Sequence, residues 1–194
     1  ARCHNIQMAK KISLNSAYGA IGNQYFRYFD VKQAEAITLG GQLSIRWVER
    51  DVNKFMNKTL STTNVNYVVA SDTDSIYLRL SQLVEKVCKD KTDKQIVGFL
   101  NKVSEQKIQK VIDNSFENLA KYVNAYDQKM IMKREAIANK GIWIAKKRYM
   151  MNVFDEEGVV YDTPKLKIMG VEAVKSSTPE VCRSKIKQAI RLIM

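Results

Sequence analysis

Tyr67-Val68-Val69-Ala70-Ser71-Asp72-Thr73-Asp74-Ser75-Ile76-Tyr77-Leu78-Arg79-Leu80 is the stretch on which the reading of the fold turns. Residues 67–70 and 76–80 are rich in β-branched and aromatic side chains, which predicts two strands, and the polar run 71–75 between them predicts a tight turn. The product is a hairpin with acids at its tip. Two carboxylates in such a turn, Asp72 and Asp74, can offer hard oxygen ligands to a divalent cation, and magnesium is usually held by one or two carboxylates together with substrate phosphates and water. A solvated Asx turn is the alternative reading of the same residues.

On either side of this hairpin the spacing predicts helices. Upstream, Ala34, Ile37, Gly41, Ile45, Val48, Val52 and Phe55 keep helical period from Asp30, with Asp30 and Gln33 placed as a capping box. This helix is expected to lie on a sheet. Further upstream, residues 5–19 predict another helix, with Ile6, Ala9, Ile12 and Ala17 as apolar contact points. Downstream of Asp93, Ile96, Leu100, Val103, Val111, Phe116, Leu119 and Val123 form a long amphipathic pattern. Three strands are then expected over 130–138, 142–154 and 159–169, with turns at Asn139-Lys140-Gly141 and Glu156-Glu157-Gly158. Ser177-Thr178-Pro179-Glu180 opens a last helix, continued by Ile186, Ile190 and Ile193. The fold class these elements predict is α+β, an antiparallel sheet carrying Asp72 and Asp74 and backed by the helices that start near Asp30 and Asp93.

Composition narrows the function classes. The 194 residues carry 32 Lys+Arg against 20 Asp+Glu, a net charge of +12, with 45% hydrophobic residues. That is enough apolar material for a core, so the chain is not a disordered basic tail. No run of about 18 apolar residues occurs, which excludes a membrane-spanning helix. Cys3, Cys88 and Cys182 are too far apart in sequence to suggest a disulfide framework or a cysteine zinc site, and they fit a reducing compartment. The positive excess favours an anionic partner, nucleic acid above all, because each Lys or Arg laid on a phosphate releases condensed counterions. A solvated basic face is the plain alternative.

Two further groups bear on chemistry. Lys11, Asn15 and Tyr18, at i, i+4 and i+7, share one helical face. There a cation could neutralise a triphosphate and an aromatic ring could stack on a base, while Gly19 would permit close approach; an ordinary amphipathic helix has the same spacing. In Lys146-Lys147-Arg148-Tyr149, strand alternation would send Lys146 and Arg148 to one face and Lys147 and Tyr149 to the other. Such a strand can touch a phosphate backbone, giving affinity rather than sequence specificity. It equally suits an edge strand guarded by lysines.

Taken together, these stretches resemble the family B DNA polymerases, and most closely the replicative polymerases of T-even-like bacteriophages. Lys11-Ile12-Ser13-Leu14-Asn15-Ser16-Ala17-Tyr18-Gly19 is similar to the fingers motif Lys-x3-Asn-Ser-x-Tyr-Gly, and Asp72-Thr73-Asp74-Ser75 to the palm motif. Lys146-Lys147-Arg148-Tyr149 resembles the duplex-binding motif Lys-Lys-x-Tyr. Leu166-Lys167-Ile168-Met169-Gly170 and Ser176-Ser177-Thr178-Pro179 look like the passage from palm to thumb. The resemblance implies the end of the fingers over residues 1–22, the palm over 23–170 and the start of the thumb over 171–194.

By that resemblance Lys11 holds the incoming deoxynucleoside triphosphate, Tyr18 lies beneath the nascent base pair and Asn15 shapes the pocket. Asp74 is the metal-ligating aspartate, Asp72 stands beside it, and Glu135 is the nearby palm carboxylate. Lys146, Lys147 and Tyr149 contact primer-template DNA, with Lys175 a further contact at the thumb. The implied reaction is attack of a primer 3′-hydroxyl on the α-phosphorus with loss of pyrophosphate, with two magnesium ions as cofactors. No nucleophile triad is needed, and His4 is incidental. A sliding clamp, met through a region beyond Met194, is an implied partner, and the cytoplasm of an infected bacterium the implied location.

Three departures from the family pattern stand in this sequence. Ala70-Ser71 replace the Tyr-Gly that often precedes Asp-Thr-Asp-Ser, and the loop expected between Glu135 and Lys146 is shortened to the residues around Asn139-Lys140-Gly141. No Asp-x-x-Ser-Leu-Tyr-Pro stretch occurs. The expectation is therefore a segment of a longer protein that lacks one metal-binding aspartate and does not polymerise alone. Two other classes compete. A glycosyltransferase would use an Asp-x-Asp turn for a sugar nucleotide but leaves the Lys11 face unexplained; a non-enzymatic nucleic-acid-binding module explains the charge but not acids at a hairpin tip, which repel DNA without a bound cation.

Overall fold

The computed structural model describes residues 2–194. The chain forms two compact units, one through Arg46 and one from Trp47 to Met194. In the first, α1 (Arg2–Ile21) is a 20-residue helix with no buried side chain, so Ile6, Ala9, Ile12 and Ala17, expected as apolar contact points, are exposed. Helix α2 (Val31–Leu60) starts as its sequence dictates. The Asp30 carboxylate accepts the backbone N–H of Lys32 at 2.9 Å and of Gln33 at 3.2 Å, satisfying donors that the first helical turn leaves unpaired.

The second unit contains the acid hairpin, β1 (Val68–Asp72) and β2 (Ser75–Leu78), and an antiparallel meander of β3 (Ala136–Ala145), β4 (Arg148–Glu156) and β5 (Val159–Met169). These hydrogen-bond as two separate sheets, where the sequence suggested one. The class is α+β. Between the sheets lie α3 (Ser81–Val87), which the sequence reading missed, then α4 (Asp93–Val103), a π-helical turn (Ser104–Ile108) and α5 (Gln109–Tyr122). Thr92 and Gln95 close a capping box on α4. The chain ends in α6 (Glu180–Ile193), which starts directly after Pro179 and without the hydroxyl cap expected at Ser177-Thr178.

Apolar side chains divide into several cores. Val48, Val52, Met56 and Leu60 of α2 pack with Tyr67, Ile108, Ile112 and Phe116, with Ile76 and Leu78 of β2 against them, so α2 and α5 back the acid hairpin. Val97 and Leu100 of α4 instead join Ile137 and Phe154 of the meander. The π turn lies between these two stripes. Strand β4 is the centre of the meander and is covered on both faces: Tyr149, Met151 and Val153 meet Tyr77 and Trp143, while Met150 packs with Val171, Ala173 and Ile190.

The first meander turn is not where the sequence placed it. Asn139-Lys140-Gly141 runs through the middle of β3, beside register shifts at Ile137/Ala138 and Ala138/Lys140, and the chain reverses at Lys146-Lys147. Gly141 has a packing reason instead: a Cβ there would stand 2.6 Å from the Trp143 ring. Residues 130–135 precede the strand rather than forming its first half. The second turn, Glu157-Gly158, is as expected, with φ of +52° and +90° matching a type I′ hairpin. Its Gly158 N–H donates to Asp155 at 3.0 Å, and Asp155, almost fully buried, is ion-paired with Arg134. No helix among the described residues is long and apolar enough to cross a membrane.

Candidate functional site

The acid turn is tight and strained. Asp72 pairs with Ser75 across it, leaving Thr73 and Asp74 as the loop, and Thr73 has φ +53°. A β-branched residue rarely adopts this left-handed conformation, whose cost is roughly 1–3 kcal/mol. Asp74 N–H donates to the Asp72 carbonyl at 2.6 Å and Ser75 Oγ to the same oxygen at 3.1 Å, which closes the loop on itself. The two carboxylates thus belong to the last paired residue of β1 and to the second residue of the loop. The Asp74 side chain is exposed and has no hydrogen bond or ion pair among the described residues.

Asp72 is engaged. Its Oδ1 accepts Thr73 Oγ1 at 3.0 Å and Lys147 Nζ at 3.0 Å. The Lys147 ammonium, opposed by partial burial and helped by Thr73, holds the Asp72 carboxyl below the ordinary aspartate range. Two segments 75 residues apart in sequence thus meet through one ion pair. Because Lys146 and Lys147 form a turn, they do not alternate across a strand as the sequence suggested. Lys147 sits at φ +59°, and its carbonyl is packed against Gly170, where a Cβ would lie only 2.0 Å from that oxygen. Lys146 is exposed.

An aromatic group clasps the two sheets beside this ion pair. Tyr77 of β2 stands edge-on to Trp143 of β3, with centroids 5.2 Å apart, and 5.5 Å from Tyr149 of β4. Tyr149 is buried, 7% exposed. Burial, and then the neighbouring Tyr77 hydroxyl, pushes the Tyr149 phenol up to about 12. Its ring is packed against Tyr77 and Trp143 and does not lie on the surface.

Glu135 and Lys175 are both paired. Glu135, just before β3, accepts Lys167 Nζ at 2.6 Å, and Lys167 also reaches Glu156 at 3.1 Å. Lys165 at 3.0 Å joins Lys167 on Glu156, and the two ammonium groups draw that carboxyl down to about 2. Burial opposes the charge on Lys167, but Glu135 and Glu156 together raise its pKa. Lys175 donates to Glu172 at 3.0 Å, and Glu172 is also bound by Arg148. In the first unit, Lys11 and Asn15 are exposed on α1, and Tyr18 shares a hydrogen bond of 2.8 Å with Thr38 of α2.

As a metal site, the acid turn offers part of a ligand set. Among the described residues no three His, Cys, Asp or Glu side chains gather as a cage. Two hard carboxylates on a rigid turn, one of them free, suit magnesium, which takes its other ligands from phosphates and water. Three residues of the site were not singled out from the sequence: Tyr77, Lys167 and Gly170. Alternation along β5 put Lys165 and Lys167 on one face, and that was the available signal for the second.

The model of DNA polymerase family B matches residues 1–194. The chain is 41% identical over 198 residues to the DNA-directed DNA polymerase of Escherichia phage RB69 and 40% identical over 198 residues to that of Enterobacteria phage T4. Each match takes in 97% of this chain and 22% of the relative, so the chain spans about a fifth of the length of these relatives. With motifs, hairpin and whole-chain similarity pointing the same way, this chain belongs to DNA polymerase family B.

Proposed function

We propose that this chain supplies the nucleotide-adding region of a template-directed DNA polymerase, with residues 1–22 ending the fingers, 23–170 the palm and 171–194 opening the thumb. The observation that carries the reading is the meeting of the Asp-Thr-Asp turn with the Lys-Lys turn through Asp72 and Lys147. Acids for a cation and a lysine for a nucleic-acid backbone lie side by side, as transfer of a nucleotide to a primer end requires.

In this reading Lys11 neutralises the triphosphate of the incoming deoxynucleotide, and Asn15 and Tyr18 frame its base pair. Asp74, with Asp72 beside it, holds magnesium, and Glu135 stands by as a further carboxylate. Two magnesium ions, when bound, supply charge stabilisation at the attacking and leaving oxygens of the transfer. Lys146, Lys147 and Lys175 lie against the primer-template duplex, with Tyr149, called from its motif to the same duplex, packed on Tyr77 and Trp143 beside them. The work of these residues is placement and charge balance, so no side-chain nucleophile is called for. A sliding clamp is a partner of the longer protein, and an infected bacterial cell its setting.

The test is a chimera in which these 194 residues replace the matching segment of a phage relative. Primer extension with magnesium should survive the exchange and fall by at least a hundredfold in Asp74→Ala, while the isolated chain should add no nucleotide. A chimera that binds duplex but extends nothing would replace the enzyme reading with that of a basic nucleic-acid-binding module.

A further inference from the structure

Lys147 stands on Asp72 at 3.0 Å, yet in the reading above the same ammonium belongs to DNA and the same carboxylate to a metal site. Both assignments cannot hold at once. We propose that Lys147 is a resident counter-ion of the acid turn, which occupies Asp72 until duplex DNA draws the ammonium away and thereby opens the turn to a divalent cation. The proposal rests on the acid turn being a cation site, and adds how that site is kept closed.

Three features of the fold support it. The lysine backbone is held, with φ at +59° and Gly170 abutting its carbonyl, while the side chain beyond it is largely exposed. The aromatic clasp of Tyr77, Trp143 and Tyr149 holds the Lys147 turn and the acid turn in one register. The ion pair itself is exposed, with the Lys147 side chain 70% accessible, and exposed pairs of this kind exchange partners at little cost. Two like charges cannot share one carboxylate oxygen closely, so a divalent cation and the ammonium compete for Asp72. A duplex phosphate gives the ammonium another anion. Metal and DNA then bind with positive coupling, and each must tighten the other by the same factor. Lys167 on Glu135 repeats the arrangement at the other candidate carboxylate.

Mn2+ binding to the whole chain, followed by the loss of the free-ion electron paramagnetic resonance signal, tests this. The Asp72→Asn/Asp74→Asn double variant at equal duplex concentration is the blank, since DNA itself takes up Mn2+. Lys147→Met, and Lys147→Asn, which suits the left-handed backbone, should bind Mn2+ at least threefold more tightly than the parent without DNA. Lys146→Met, which removes the same charge from the neighbouring position, should not match that gain. Saturating duplex should tighten the parent at least threefold and leave the Lys147 variants unchanged. If the Lys147 variants bind Mn2+ no more tightly, or duplex tightens all chains alike, while Asp74→Asn abolishes binding, the cation site stands and the counter-ion role is wrong. If neither aspartate substitution alters Mn2+ binding, the cation site itself is wrong and the proposal goes with it.

Discussion

Two hairpin turns of the second unit are built alike and read very differently. Each is a two-residue loop with a non-glycine residue at positive φ, Thr73 at +53° in one and Lys147 at +59° in the other. The first was legible because its polar run lies between two β-rich stretches. The second was not, because Lys-Lys carries none of the Gly, Asn or Asp chemistry that marks a turn, while Asn139-Lys140-Gly141 nearby carries it and lies inside a strand. In the acid turn the strain is local, closed by contacts of Asp72, Asp74 and Ser75. In the basic turn the close contact comes from outside, where Gly170, twenty-three residues on, abuts the Lys147 carbonyl.

That contrast can be broken most forcefully at Gly170. Gly170→Ala puts a methyl onto the Lys147 carbonyl at a residue whose own φ is +65°, and should destabilise the chain by about 3 kcal/mol or more in urea unfolding. An unchanged midpoint would mean the basic turn sets its own shape. Thr73→Gly should act in the opposite sense on the acid turn, stabilising by about 0.5–1 kcal/mol, because relief of strain outweighs the added chain freedom. Loss of stability in that variant would show that Thr73 is held by contacts and not against strain.

Charge sharpens the same comparison. Glu156 carries two lysines and Asp72 one, and the folded Glu156 carboxyl sits at about 2 against an ordinary 4.5. A depressed carboxyl stabilises above its unfolded value and loses that contribution as pH falls through the folded one. The gap in melting behaviour between the parent and Glu156→Gln should thus be roughly 1 kcal/mol at pH 7 and close between pH 4.5 and about 2. A gap that persists in acid would assign it to packing. Lys147→Met should have the smallest effect, within about 0.5 kcal/mol in the same urea assay, since its ion pair is exposed.

How much of the molecule the sequence revealed follows from where each contact is made. The helix start at Asp30, the acid hairpin and the Glu157-Gly158 turn depend on neighbours in sequence, and they were readable; the Thr92–Gln95 capping box is equally local but was not read. The Lys147–Asp72 pair, the Tyr77–Trp143–Tyr149 clasp and the Lys167 bridge depend on residues brought together by the fold. Tyr149 shows the difference most clearly: its motif suggested a surface contact, and its ring is buried. The family motifs named the side chains, and the packing decided which of them were already occupied.

The π turn at Ser104–Ile108 carries a consequence for length rather than for composition. An i→i+5 turn takes up one residue more than regular α winding, so it is the place where this helix can change length. A one-residue deletion within 104–108 should be absorbed by a return to α winding, with Ile112 and Phe116 still packed on Val48, Val52 and Met56. The same deletion inside α5 meets no such slack and turns every side chain beyond it by about 100°, off the core behind the acid hairpin. The segment works as an expansion joint between the helix behind the meander and the helix behind the hairpin.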